Sequence, residues 1–285
     1  MPGRSLQKLS FMKLIATLLL ITLLVSCANS KETNYTASTP PAPLVRTFLG
    51  ISQTDSIDFI RWKLSLIDKK YSLECGYGIG KPNSNGFYDE KKVVLSGMVK
   101  KDNNNYILEN GNHVLKLVEL NANLLHIVNN DNTLLRGGGG WSYALNNMAP
   151  SATNQFNILT KQQIDLKDSI AFEGRTPCGV PGIIEPGKLC YKLKWYLVLY
   201  GNKKNEPATF RILGTPYRRD EGGKRGNWSV TTSKDGRIIY RLNDKNEKPF
   251  IYLLQLDPGV LIFTDANGNL LVGDHDFSYT LNRRF

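Results

Sequence analysis

Histidine is scarce in this chain. Only three occur in 285 residues, at His113, His126 and His275. No His-Glu-x-x-His pair, no Gly-x-Ser-x-Gly elbow and no Gly-Lys-Ser/Thr phosphate loop is present, so the common hydrolase and nucleotide-binding signatures are excluded. The reading is a protein without catalysis. Cysteine is also rare, with four residues, and acids (25) fall short of bases (36), leaving a net charge of +11. After residue 25 no apolar run is long enough to span a bilayer as a helix. Helical periodicity is almost missing as well; only Thr160 to Ser169 allows one short helix.

The one long apolar run lies at the front. Arg4, Lys8 and Lys13 precede Leu14 to Val25, the plan of an export signal, and Met12 is an alternative start within it. The run ends Leu24-Val25-Ser26-Cys27, which resembles a bacterial lipobox. That resemblance implies cleavage after residue 26, acylation of Cys27 (palmitate-type chains), and anchoring to the membrane through lipid. Residues 1–26 are thus read as signal peptide, and 27–43 as the lipidated cysteine and a Pro-rich tether. Ala28 after the cysteine points to the outer membrane, with the body facing the periplasm or the exterior.

What the chain has in abundance is alternation and turns. Ile60 to Leu66 alternates apolar and polar residues, and Asn110-Gly111, Asp235-Gly236 and Asn267-Gly268 mark tight turns. A longer pattern overlies these. Leu134-Leu135, Gly137, Ser142-Tyr143 and Leu145-Asn146 recur as Leu270-Leu271, Gly273, Ser278-Tyr279 and Leu281-Asn282, at a constant offset of 136 positions. Trp141 aligns with Phe277, and Leu117, Leu120 and Leu125 align with Leu253, Leu256 and Leu261. The strands at Trp62 and Trp195 correspond. A fixed long offset means two copies of one folded unit. About eight short strands per copy predict an all-β protein of two tandem small antiparallel, lipocalin-like β-barrels. Their expected spans are 44–150 and 170–285, joined by a linker at 151–169. The repeated motif would be the strand that closes each barrel, with Tyr143 and Leu145 on one face.

The second copy opens Phe172-Glu173-Gly174, then Pro177-Cys178-Gly179-Val180-Pro181-Gly182-Ile183, and continues to Gly226-Asn227-Trp228-Ser229. It resembles the N-terminal domain of the NlpE lipoproteins, the copper resistance or homeostasis family. The first copy shares only Phe48-Leu49-Gly50. The resemblance implies a lipid-anchored envelope protein that binds or senses, of the envelope- or metal-stress type, with copper as a possible ligand. The family's Cys-x-x-Cys is not intact, because Val180 and Pro181 stand where a second cysteine would be needed.

The candidate sites are few. Cys178 and Cys190 fit a disulfide in an exported protein, a free pair for a soft metal, or two buried thiols. His275, within Asp274-His275-Asp276, fits either a metal ligand or the polar tip of a hairpin; the matching Gly138-Gly139-Gly140 has none of these groups. His113 and His126 read as side chains on a solvated face. Trp141 and Trp228 could line a cavity. The densest basic pairs, Arg218-Arg219, Lys224-Arg225 and Arg283-Arg284, carry no nucleic-acid motif, so an envelope protein or glycan is the expected partner class and nucleic acid is not. The alternative is a carrier holding a small apolar ligand inside a barrel. Any specific function is expected at the opening end of the second copy.

Overall fold

The structure is a computed structural model that describes residues 32–284 except 83, 154, 158–163, 167–168, 186 and 219–220. The export signal, Cys27 and most of the stretch read as a short helix lie outside the described residues. The described chain builds two closed antiparallel barrels of eight strands each.

The first barrel runs through β1 (Thr33–Thr39), β2 (Phe59–Ile67), β3 (Lys70–Gly78), β4 (Lys91–Asp102), β5 (Asn105–Asn110), β6 (His113–Asn121), β7 (Leu124–Ile127) and β8 (Ala144–Asn147). The second runs through β9 (Ser169–Thr176), β10 (Leu193–Gly201), β11 (Pro207–Gly214), β12 (Lys224–Thr232), β13 (Ile238–Asn243), β14 (Pro249–Asp257), β15 (Val260–Thr264) and β16 (Thr280–Arg283). Each barrel shuts through its motif strand: β8 pairs with β1 (Tyr35 opposite Asn147), and β16 pairs with β9 (Asn282 opposite Glu173). Closure leaves no free sheet edge among the described strands.

The tether is shorter than the sequence suggests. Residues 33–39, read as tether, form β1, hydrogen-bonded along β2 from Thr33–Leu66 to Thr39–Ile60. The strand is Thr-Asn-Tyr-Thr-Ala-Ser-Thr. Its inward positions Tyr35, Ala37 and Thr39 are buried, yet it has too little hydrophobic content to announce itself. One short helix follows, α1 (Pro43–Leu49), with Pro at its first turn and Gly50 closing it at φ 68°. Val45, Phe48 and Leu49 of α1 pack into the first core, so the helix plugs that barrel's mouth. In the second copy this place is taken by the loop carrying Cys178 and Cys190, whose Val180 enters the second core. The linker follows suit, with Ile164 and Leu166 in the same core.

Both interiors are filled. Trp62, Leu73, Leu117, Leu125 and Tyr143 occupy the first, and Trp195, Phe210, Trp228, Tyr240 and Phe263 the second. Two matching buried indoles are held alike: Trp62 Nε1–H donates to Thr39 Oγ1, and Trp195 Nε1–H to Thr176 Oγ1, both at 2.8 Å.

Strand alternation breaks down in one region. β2 alternates between buried and exposed positions, whereas every residue of β7, β8 and β15 is buried. A strand buried on both faces needs a second layer. Here the outer face of β6–β8 packs on that of β14–β16, and Val118, Leu120 and Leu124 join one cluster with Leu254, Val260 and Ile262. This corrects the reading of His126: its side chain points out of its barrel, but the outward side is the barrel–barrel interface, and it is fully buried. His113 is exposed.

Candidate functional site

The repeated motif does two jobs. Besides closing its own barrel, each copy's asparagine reaches across to the other barrel. Asn146 Nδ2–H donates to the carbonyls of Asp274 (3.0 Å) and Phe277 (3.2 Å), and its Oδ1 accepts from Gly273 N–H (3.0 Å). In return Asn282 Oδ1 accepts from Gly137 N–H (2.8 Å), and its Nδ2–H donates to the Trp141 carbonyl (3.4 Å). The exchange is reciprocal, the signature of a pseudo-two-fold contact. It explains the motif's spacing. A Cβ on Gly137 would overlap the Trp141 carbonyl oxygen, and one on Gly273 the Phe277 carbonyl oxygen, so each loop needs glycine at its asparagine contact. Ser142 and Thr280 hydroxyls also bond across the contact.

These clasped loops carry Trp141 and Phe277 into a third apolar cluster, separate from both barrel cores. Phe87 stacks on Phe59 (4.4 Å between ring centres), Phe59 on Trp141 (4.5 Å), and Trp141 on Phe277 (5.5 Å), with Tyr191 meeting Phe277 edge-on (6.4 Å). The file of rings runs from one barrel to the other. Cations lie along it: Arg61 over Phe87 (5.5 Å), Arg175 over Trp141 (4.6 Å), and Lys192 over Phe277 (5.4 Å).

Beside this file lies a cleft of about 1010 Å³ between the barrels. Phe59, Gly138, Gly139 and Trp141 line it from the first copy, and Arg175, Leu189, Lys192 and Lys194 from the second. Its wall is the opening loop of the second copy, fixed by a Cys178–Cys190 disulfide at a sequence separation of 12 and by buried Val180. On the returning limb Leu189 is 105% exposed and Tyr191 57% exposed.

The electrostatics are lopsided. Burial pulls the Arg175 guanidinium below its usual value, against the opposing effect of Glu173. Burial also lowers the Lys192 ammonium, helped by Arg175 and Lys194 and opposed by Asp276. Glu173 itself pairs with Arg284 at 3.3 Å. Among the described residues no carboxylate is ion-paired with Arg175, Lys192 or Lys194. Half-buried Lys192 and partly desolvated Arg175, crowded with exposed Lys194 and with Glu173 and Asp276 near but not ion-paired to them, form a cationic site that favours an anion.

The sequence-derived candidates fall as follows. Cys178 and Cys190 are joined, and as a disulfide the pair offers no thiolate to a soft metal. His275 is exposed at the tip of the loop before β16. Its flanking acids face other partners: Asp274 Oδ1 accepts from the N–H of Asp276 (2.9 Å) and Phe277 (2.8 Å), while Asp276 faces Arg61 at 3.5 Å. Among the described residues no group of three or more His, Cys, Asp or Glu side chains is placed to hold a metal. Trp141 lines the cleft and Trp228 is core. Of the basic pairs picked out by adjacency in sequence, the described residues Arg218, Lys224, Arg225, Arg283 and Arg284 do not line the cleft, and residue 219 lies outside the described residues. The cluster at 175, 192 and 194 was missed because it forms across two paired strands and a loop.

Compared with family models, curated proteins and solved structures, the chain matches none.

Proposed function

We propose that this is a non-catalytic binding protein of the bacterial cell envelope, anchored by lipid at Cys27, whose site is the inter-barrel cleft and whose ligand is anionic. The trio Arg175, Lys192 and Lys194 in that cleft, none ion-paired among the described residues, carries the reading. The lipobox-like Leu24-Val25-Ser26-Cys27 and the NlpE-like opening of the second copy support the envelope setting. Filled barrel interiors weigh against a carrier with its ligand in the lumen and support a site between the barrels.

Calorimetric titration with inorganic pyrophosphate tests the site. Binding should weaken with added salt, and should fall at least about tenfold in the R175M/K192M double variant, as expected for losing charge-assisted contacts. Equal affinity in that variant would refute the cleft. Mass spectrometry of the membrane-extracted protein tests the anchor: an acylated Cys27 at the new amino terminus is expected, and an unmodified Cys27 peptide would sink it.

A further inference from the structure

The two halves of the pseudo-two-fold contact are not equally furnished, and the difference identifies the missing group. The matching Trp62 and Trp195 bonds align Arg61 with Lys194, the residues just before each indole. Strand pairing then aligns Ser38, opposite Arg61, with Arg175, opposite Lys194. In one half the cation of the first barrel meets the closing loop of the second: Arg61 lies 3.5 Å from Asp276, whose other oxygen accepts from Asn85 Nδ2–H at 2.6 Å. In the other half the second barrel's cations meet the closing loop of the first, where Asp274-His275-Asp276 is replaced by Gly138-Gly139-Gly140. A Cβ on Gly140, the counterpart of Asp276, would lie 2.8 Å from Arg175 Cγ. The glycine loop is therefore beside Arg175 but brings no carboxylate to it, whereas Asp276 of the other loop serves Arg61 and also acts on Lys192, which lies over Phe277.

Resting on the anion-binding reading above, we infer that the cleft takes a carboxylate supplied by the ligand, set where the Asp276 side chain sits in the equivalent half. The ligand's body is apolar, because the wall beside the cations presents Leu189 and Tyr191 to solvent on a loop pinned by a disulfide. A solvent-bathed leucine on a pinned loop is apolar area left for a ligand to cover. The class is thus an organic acid with a hydrophobic tail or ring.

Octanoate is the probe, with acetate, octanol and inorganic phosphate as controls, titrated calorimetrically into the intact protein. Octanoate should bind at least about tenfold more tightly than either acetate or octanol, since each control lacks one half of the recognition. Gly139→Asp adds a carboxylate to the cleft wall one residue before Gly140, the counterpart of Asp276: Gly139 lines the cleft, has φ 59°, a conformation Asp tolerates, and no atom closer than 4.0 Å to its would-be Cβ. That variant should lose at least about tenfold in octanoate affinity while unfolding at the wild-type temperature. Leu189→Ser should reduce octanoate affinity and leave acetate unchanged. Phosphate binding without octanoate binding would overturn the carboxylate assignment and leave the anion site standing. Binding of none of the anions would overturn both. Undiminished octanoate binding in Gly139→Asp would also overturn the assignment.

Discussion

Replacing His126 by isoleucine should make the protein more stable, and more so in acid. The ring is fully buried on β7 between the barrels. Its Nδ1–H donates to the Ile127 carbonyl at 2.8 Å, and its Nε2 lone pair has no partner among the described residues. Burial holds its pKa down to about 4 from 6.5, with the Ile127 bond opposing. A depressed histidine is neutral in the folded chain, while the unfolded chain takes up a proton below about 6.5. Falling pH therefore loads protons on the unfolded state and drains stability, starting near pH 6.5 and levelling off near pH 4. At about pH 4.5 the loss amounts to about 2.5 kcal/mol for a group shifted this far. The repeat supplies the substitute, since the equivalent residue in the second barrel is Ile262, equally buried in the same interface. Removing the unpaired nitrogen should add roughly 1–3 kcal/mol at neutral pH. The gap over wild type should widen by about 2.5 kcal/mol on going to about pH 4.5. Urea unfolding of both proteins at about pH 7.5 and about pH 4.5 measures this. A variant less stable than wild type at neutral pH, or one with the same acid sensitivity, would refute the argument.

The asparagine clasp should be uneven. Asn146→Ala removes three bonds, while Asn282→Ala removes two, one of them 3.4 Å long. At roughly 1–3 kcal/mol for stranded buried partners, thermal unfolding should show the larger drop for Asn146→Ala; the reverse order would count against the contact as described. Cys75 is buried, and burial, with Glu74 adding, holds its thiol protonated well above the usual range. Iodoacetamide should therefore label Cys75 only after denaturation, and Cys178 and Cys190 only after reduction as well. Labelling of Cys75 in the native protein would show that its pocket opens.

Much of the scaffold was legible because strands speak locally. The alternation at Ile60–Leu66 and the turn residues at Asn110-Gly111 and Asp235-Gly236 report which side of each strand is wet, and the repeat counted the barrels. β1 was illegible because a Thr- and Ser-rich strand carries no alternation of hydropathy, even though its inward Tyr35 and Ala37 are buried. His126 was misread for a different reason: period two says which way a side chain points but not what waits there. The cleft shows the same limit on a larger scale. Trp141 stood out in sequence, yet Arg175, Lys192 and Phe59 became a site only when two barrels met, and their separation along the chain hides that meeting.

Two separate, identical barrels meeting through this face would carry the same loop at both ends of their symmetry axis. Any residue lost from one end would be lost from the other, and the contact would have either two internal carboxylates or none. Joining the copies in one chain removes that bond between the two ends. One loop carries Asp276 and fastens the barrels through Arg61, while its twin has three glycines in the matching positions and no carboxylate. Tandem duplication in this protein thus permits broken symmetry: the same contact holds an acid against Arg61 at one end and opens on a cleft lined by Arg175 at the other.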